Sequence, residues 1–202
     1  MVVTKLNKAP INNVVAKPVL RPQGNLELVR PRVIVVRCGD DDRFDRCKSE
    51  RYKLTPLQHM ASIYDICYQH TEAGCCLCMN GSKRFKWQDP EHLYSTLSFI
   101  LALKNQERRI SYICLMSHSH CGAYRSSYGE MGEKKELEVH TADLDFAKRA
   151  LQQAFFGQEL APDKFLTFFL DRRHMIRPIG NETEFIHNAY LQTTLTGKKR
   201  VC

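Results

Sequence analysis

The sequence is poor in several features, and each absence excludes something. No apolar run approaches the roughly 18 residues a membrane-spanning helix needs. The opening stretch MVVTKLNKAPINNVVAKP has no uninterrupted apolar segment of the kind a secretory signal carries, so a cytosolic setting is expected. There is no internal repeat and no low-complexity tract, which sets aside solenoids and compositional linkers. The central region also lacks any excess charge. The whole chain carries +8, but residues 1–32 hold six basic side chains and one acidic, and residues 198–202 hold three basic ones. Residues 33–197 therefore balance, with 21 basic and 21 acidic side chains. A basic groove for specific nucleic-acid binding is not expected from such a body, although the two ends could touch phosphate surfaces non-specifically.

What is present is enough for a folded core: 43% of the residues are hydrophobic and 26% charged. Cysteine is plentiful, with nine among 202 residues. The count is odd, and a chain of this length does not need disulfide staples, so reduced thiols are the expectation. Most of these thiols read as small buried hydrophobes.

Residues 1–31 contain Pro10, Pro18, Pro22 and Pro31 among polar and basic residues and read as an extended basic arm. Val33–Val36 is a β-branched run that fits a strand buried on both faces, ending at Arg37-Cys38-Gly39-Asp40. Thr55-Pro56-Leu57-Gln58 forms a capping box, and the spacing of Leu57, Met60, Ala61, Tyr64, Cys67 and Tyr68 predicts a helix through Tyr68. Cys75–Met79 reads as a second strand, with Cys76 and Cys78 on one side of it. Asp89-Pro90-Glu91 opens another helix, and Ile110–Met116 is a third strand. A helix is predicted over 142–156 and a fourth strand over Phe165–Leu170. The segment after Asn181 fits either an edge strand or a short helix. Alternating strands and helices predict an α/β fold with a mainly parallel central sheet flanked by helices. The chain thus divides into an arm over 1–31, one α/β domain over 32–197 and a basic tail over 198–202.

In parallel sheets, ligand sites form beyond the carboxyl ends of strands. Two chemistry-bearing segments fall there: Cys38 to Arg43 and His118 to Cys121. Thiolate and imidazole are the ligands zinc prefers, and His-x-x-Cys lets both side chains converge where a strand turns into a helix. Cys38, His118 and Cys121 are the expected ligands of Zn2+, with the fourth position held by water or by Asp40. Three protein ligands and one open position is the arrangement of catalytic zinc. An Asp40–Arg43 pair would keep the carboxylate ionised and aimed.

Cys38-Gly39-Asp40 after a buried strand, and His118-Ser119-His120-Cys121-Gly122-Ala123 after another, resemble the beta-class carbonic anhydrases, whose motifs are Cys-x-Asp-x-Arg and His-x-x-Cys-Gly. The similarity extends upstream of His118 through Ser95–Ile100 and Ser111–Met116, and covers about 33–43 and 90–124 well and the rest by element order only. The resemblance implies reversible hydration of carbon dioxide to bicarbonate at a zinc of Cys38, His118 and Cys121, with Asp40 as orienting carboxylate or fourth ligand. It also implies a homodimer or higher homo-oligomer, with the N-terminal arm against the partner subunit. The sequence departs from the family pattern in several places, among them the extra carboxylates at Asp41 and Asp42, the long gap between Cys38 and His118, and the arginine position. The family's Arg position holds Asp42 here, and Arg43 follows one residue later.

Plainer readings stand beside these. The metal could be structural, in a non-catalytic zinc-binding protein on the same scaffold, or the site could hydrolyse another small electrophile. Asp40 and Arg43 could form an ordinary surface ion pair. His120, next to the site, is either a proton shuttle or a solvent-facing side chain.

Overall fold

The computed structural model describes residues 30–40, 42–80, 89–106, 109–158 and 164–197. Most of the arm expected over 1–31 and the tail over 198–202 lie outside the described residues, as does Asp41. Five strands form one sheet in the order β2-β1-β3-β4-β5. Strands β1 (Arg32–Cys38), β2 (Asp65–Glu72), β3 (Tyr112–His118) and β4 (Lys164–Leu170) run parallel. Strand β5 (Ile176–Ile179) closes the far edge antiparallel to β4. Its Pro178 is tolerated because an edge strand does not need every N–H. The expected α/β architecture with a mainly parallel sheet is therefore what the chain adopts.

Strands β1, β3 and β4 are buried almost throughout, and their alternate residues serve two cores. Val33, Val35, Cys114, Met116, Leu166 and Phe168 belong to one, with Leu57, Met60 and Ile63 of α1 (Pro56–Ile63) and Ile186 of α5 (Asn181–Gly197). Ile34, Val36, Ile113, Leu115 and Phe165 belong to the other. They pack on Leu93, Leu97 and Leu101 of α2 (Pro90–Asn105) and on Leu144, Ala147 and Leu151 of α4 (Glu133–Ala154). Burial on both faces is why these strands read as continuous apolar runs. No helix among the described residues is long and apolar enough to cross a membrane.

Three sequence expectations need correction, and one open alternative is decided. The helix that opens at the Thr55 capping box stops at Ile63, because Tyr64 turns extended and Asp65 N–H bonds to Pro31 C=O, starting β2. Cys67 accordingly lies on an edge strand and not on a helix face. Cys75–Met79 is no strand. Gly74 and Cys75 are both left-handed (φ +70° and +57°), and the chain turns there into a short 3-10 helix over Leu77–Asn80. The helix expected over 142–156 begins nine residues earlier, at Glu133. The segment after Asn181 is helical, as α5.

Candidate metal centre

Three neighbouring strand ends build the site. Cys38 is the last residue of β1 and His118 the last of β3, and β1 and β3 are adjacent in the sheet. Cys121 follows in the turn before α3 (Gly122–Tyr128) and occupies its N-cap position. His118 pairs in register with Leu170, and Ser119 N–H donates to Leu170 C=O at 2.8 Å, so β4 fixes where the turn leaves the sheet. His120 takes a left-handed conformation (φ +57°), which brings the chain round to Cys121.

The ligating atoms of Cys38, His118 and Cys121 lie within 4.8 Å of one another, and all three side chains are buried. The two sulfurs are 3.7 Å apart. A disulfide would need about 2.05 Å, whereas two sulfurs on a tetrahedral zinc at 2.3 Å stand about 3.8 Å apart. His118 Nδ1–H donates to Ser119 C=O at 2.8 Å, which leaves Nε2 as the ring's lone-pair nitrogen. That Nε2 is buried without a hydrogen-bond partner. A buried orphan acceptor beside two sulfurs fits a cation, since an unsatisfied polar atom in the interior costs about 1–3 kcal/mol. The donor set could hold a metal ion, and soft N/S chemistry fits zinc.

The electrostatics agree with that. The Cys38 thiol is held below its ordinary value, chiefly because the Cys121 thiol donates to it, with the Asp40 main-chain N–H adding to the effect against burial. The Cys121 thiol is pushed up, first by its hydrogen bond to Cys38 and then by burial. A cation bound here would take the place of the thiol protons. Gly74 N–H also donates to Cys38 Sγ, at 3.3 Å.

Asp40 and Arg43 are arranged otherwise than the sequence suggests. The Asp40 carboxylate is not among the clustered ligand atoms, and no ion pair among the described residues links it to Arg43. The contact between them is main-chain, Arg43 N–H to Asp40 C=O at 3.3 Å. The wide helical turn over Asp42–Arg46 has shifted the pairing. The Asp–Arg pair beside the site is instead Arg37 with Asp45, at 3.1 Å. The Arg37 guanidinium is buried, donates to Cys38 C=O at 3.1 Å and to Gln69 at 3.1 Å, and lies over the Phe44 ring. Phe44 in turn meets His118 edge-on, with centroids 5.6 Å apart. Sequence reasoning missed both residues. The available signals were an arginine inside a buried strand and a lone aromatic in the charged run Asp42–Arg46.

Behind the site, His140 of α4 is fully buried against Tyr124, with ring centroids 3.6 Å apart, and burial lowers its pKa to about 3. His120 is exposed beside Cys121. Both residues border a cavity of about 10 Å3, room for about one water, with Arg125, Glu130 and Glu136 around it. A larger cavity of about 620 Å3 lies away from the cysteines, between Tyr52, Asp171, Arg173 and His187.

No protein-family model matches the chain, and no curated protein matches it. Among solved structures it is similar to the beta-carbonic anhydrase CafA of the fungal pathogen Aspergillus fumigatus. That similarity has 13% identity and a TM-score of 0.42 over 82% of this chain and 83% of that one. It is also similar to a carbonic anhydrase from Streptococcus mutans, at 14% identity and a TM-score of 0.39 over 75% of this chain and 84% of that one.

Proposed function

We propose that the chain is a zinc-dependent lyase that hydrates carbon dioxide reversibly to bicarbonate. The observation that carries this reading is the buried donor set of Cys38, His118 and Cys121, with His118 Nε2 unpartnered at its centre. Zinc held by these three residues would act as a Lewis acid and bring the ionisation of a water toward neutral pH. The rest belongs to the chain's own side chains. Ser119 C=O fixes the His118 tautomer and aims Nε2 at the two sulfurs. The edge-on ring of Phe44 gives the site an apolar wall, which suits a substrate without charge. Arg37 ties the end of β1 to Asp45 and Phe44, so the wall and Cys38 keep a fixed relation.

Asp40 is assigned as the carboxylate that accepts a hydrogen bond from the reacting water and sets its direction. Arg43 is assigned as its charge partner, reached by rotation of the guanidinium from the resting geometry. His120, on the solvent side of Cys121, is assigned the outward proton transfer. The assembly is proposed to be a homodimer or higher homo-oligomer in the cytosol.

A second reading has an observation in its favour. All three ligands are less than 7% exposed, and Asp40 and Arg43 are not paired, which suits a structural zinc in a non-catalytic protein. Stopped-flow hydration of carbon dioxide by the zinc-loaded chain separates the two, with Cys121→Ser as control. Hydration well above the control supports the lyase. Hydration no faster than the control leaves the structural zinc.

A further inference from the structure

The metal centre does not use Cys75 or Cys76. Their sulfurs lie 3.2 Å apart, both side chains are buried, and neither forms a disulfide. Cys75 is one of four non-glycine residues with positive φ among the described residues (+57°), directly after the left-handed Gly74 (φ +70°). Such a conformation costs on the order of 1–3 kcal/mol at a residue with a Cβ and persists where the surroundings impose it. Here it points the Cys75 sulfur toward Val36 C=O, at 3.5 Å, and brings the next sulfur alongside. One residue back, Gly74 N–H donates to Cys38 Sγ at 3.3 Å. Gly74 therefore sits between the thiol pair and the proposed metal ligand, its N–H on Cys38 and its carbonyl carbon bonded to Cys75.

We propose that Cys75 and Cys76 are a modification site, a pair that closes reversibly into a vicinal disulfide and acts on Cys38 through Gly74. Bond formation needs an approach from 3.2 Å to about 2.05 Å. With hydrogen peroxide as oxidant, one sulfur attacks the peroxide as thiolate and becomes a sulfenic acid, and hydroxide leaves and is protonated to water. The second sulfur displaces the sulfenic hydroxyl as a further water. The two sulfurs together lose two electrons and two protons, and the peroxide is reduced to two waters. Adjacent Cα atoms stand about 3.8 Å apart, below the usual disulfide range of about 4.4–6.8 Å. The bond is accordingly strained and easily reduced, which is the property of a regulatory disulfide and not of a staple. Burial pushes the Cys75 thiol up, so closure is slow.

Closure draws the Cys75 sulfur off Val36 C=O and pulls on the Gly74 Cα, and with it on the Ala73–Gly74 peptide that carries the Gly74 N–H. The turn has no slack to absorb this. A Cβ on Gly74 would stand 3.0 Å from Leu77 Cβ and 3.1 Å from Ala123 Cβ. The Gly74 N–H is thereby withdrawn from Cys38. The modification site stands on the thiol geometry alone, whereas its effect on a metal rests on the reading of Cys38, His118 and Cys121 as zinc ligands.

The test uses the full zinc-loaded chain, with and without hydrogen peroxide, read by tandem mass spectrometry and by zinc transfer to a chromophoric chelator. The expected result is a Cys75–Cys76 bond, reversed by dithiothreitol, and about tenfold faster zinc release after oxidation, the usual weight of an outer hydrogen bond. Cys76→Ala should form no such bond and show no acceleration, and Cys78→Ala should behave as the unaltered chain. A bond between other cysteines, or none, overturns the modification site. A Cys75–Cys76 bond with unchanged zinc release overturns the coupling. A chain that forms the bond but never holds zinc overturns the metal reading and the coupling with it, and supports the modification site.

Discussion

The sulfurs of Cys38 and Cys121 stand 3.7 Å apart although 83 residues separate them in the chain. Nothing local brings them together. Cys38 ends β1, Cys121 follows the end of β3, and the parallel pairing of Val33–Arg37 with Tyr112–Met116 carries both to one edge of the sheet. Two buried sulfurs at that separation, beside an unpartnered imidazole nitrogen, fit a divalent cation in place of their protons. Elemental analysis of protein purified without added chelator should therefore find close to one zinc per chain. Cys121→Ser and His118→Ala should each reduce the bound zinc at least tenfold, while circular dichroism reports the same sheet. Full zinc retention in either variant would contradict the assignment of ligands.

Arg37 should matter more for stability than any exposed arginine. Its buried guanidinium holds Cys38 C=O, Gln69 and Asp45 and covers Phe44. Arg37→Ala removes several charge-assisted bonds and leaves Cys38 C=O without that donor. Bonds of this kind contribute on the order of 1.5–3 kcal/mol, and Asp45 is exposed enough to recover solvation. A loss of about 2–3 kcal/mol is expected, read as a lower urea midpoint. Arg46→Ala serves as control. Its ion pair with Asp42 is solvent-exposed on both sides and contributes little.

His187 gives a pH prediction with a definite sign. It is buried among Tyr64, Phe168 and His59, and Tyr64 OH lies 3.4 Å from its Nδ1. Burial, with a smaller effect of His59, lowers its pKa from 6.5 to about 4. Between those values the unfolded chain binds a proton that the folded chain does not. The stability is intact above pH 6.5 and is lost as the pH falls toward 4, by about 3 kcal/mol for this residue. Urea unfolding at a series of pH values should show a shallower slope for His187→Leu than for the unaltered chain. Equal slopes would mean that His187 takes up a proton while folded.

The parts of the fold legible in the sequence are those set by local chemistry. Thr55-Pro56 and Asp89-Pro90 mark helix starts because a capping side chain and a proline at the first turn act on their own backbone. The buried strands were legible because burial on two faces demands an unbroken apolar run. The errors fall where a distant partner decides. Tyr64 to Tyr68 continues a helical stripe, yet β1 offers an open edge and Asp65–Glu72 takes it. Cys75–Met79 is apolar enough for a strand, but two successive left-handed residues fold it beneath Cys38. The strand-end placement of Cys38, His118 and Cys121 was readable for the same reason as the strands. The exchange of Asp40–Arg43 for Arg37–Asp45 was not, because it depends on the path of the turn over Asp42–Arg46.

That exchange bears on catalysis. If Asp40 directs the reacting water, Asp40→Asn should lower kcat for carbon dioxide hydration by at least a hundredfold while zinc content is unchanged, the scale of a misdirected proton acceptor. Arg43→Ala should cost less, within about tenfold, because the resting contact between the two residues is main-chain and survives the substitution. Stopped-flow assays on zinc-matched samples decide it. An Arg43→Ala loss as deep as that of Asp40→Asn would mean that the charge pair, and not the main-chain contact, sets the direction of the carboxylate.

Gly74 connects fold and site most directly. Its φ of +70° is one that side chains with a Cβ rarely adopt, and an added Cβ would meet Leu77 and Ala123 at 3.0–3.2 Å. The two nearest are Cβ atoms, fixed to the backbone, so neither can rotate away, and the third is Leu77 Cδ2. Gly74→Ala should therefore destabilise the chain by about 2–4 kcal/mol, from backbone strain together with overpacking. It should also weaken zinc binding, because the displaced N–H is the one that Cys38 accepts. Gly39→Ala is the matched control. It lies next to Cys38, has no atom within 4 Å of an added Cβ, and needs no left-handed backbone. A Gly39→Ala effect as large as that of Gly74→Ala would place the strain in the β1 terminus and remove the close approach at Gly74 as its cause.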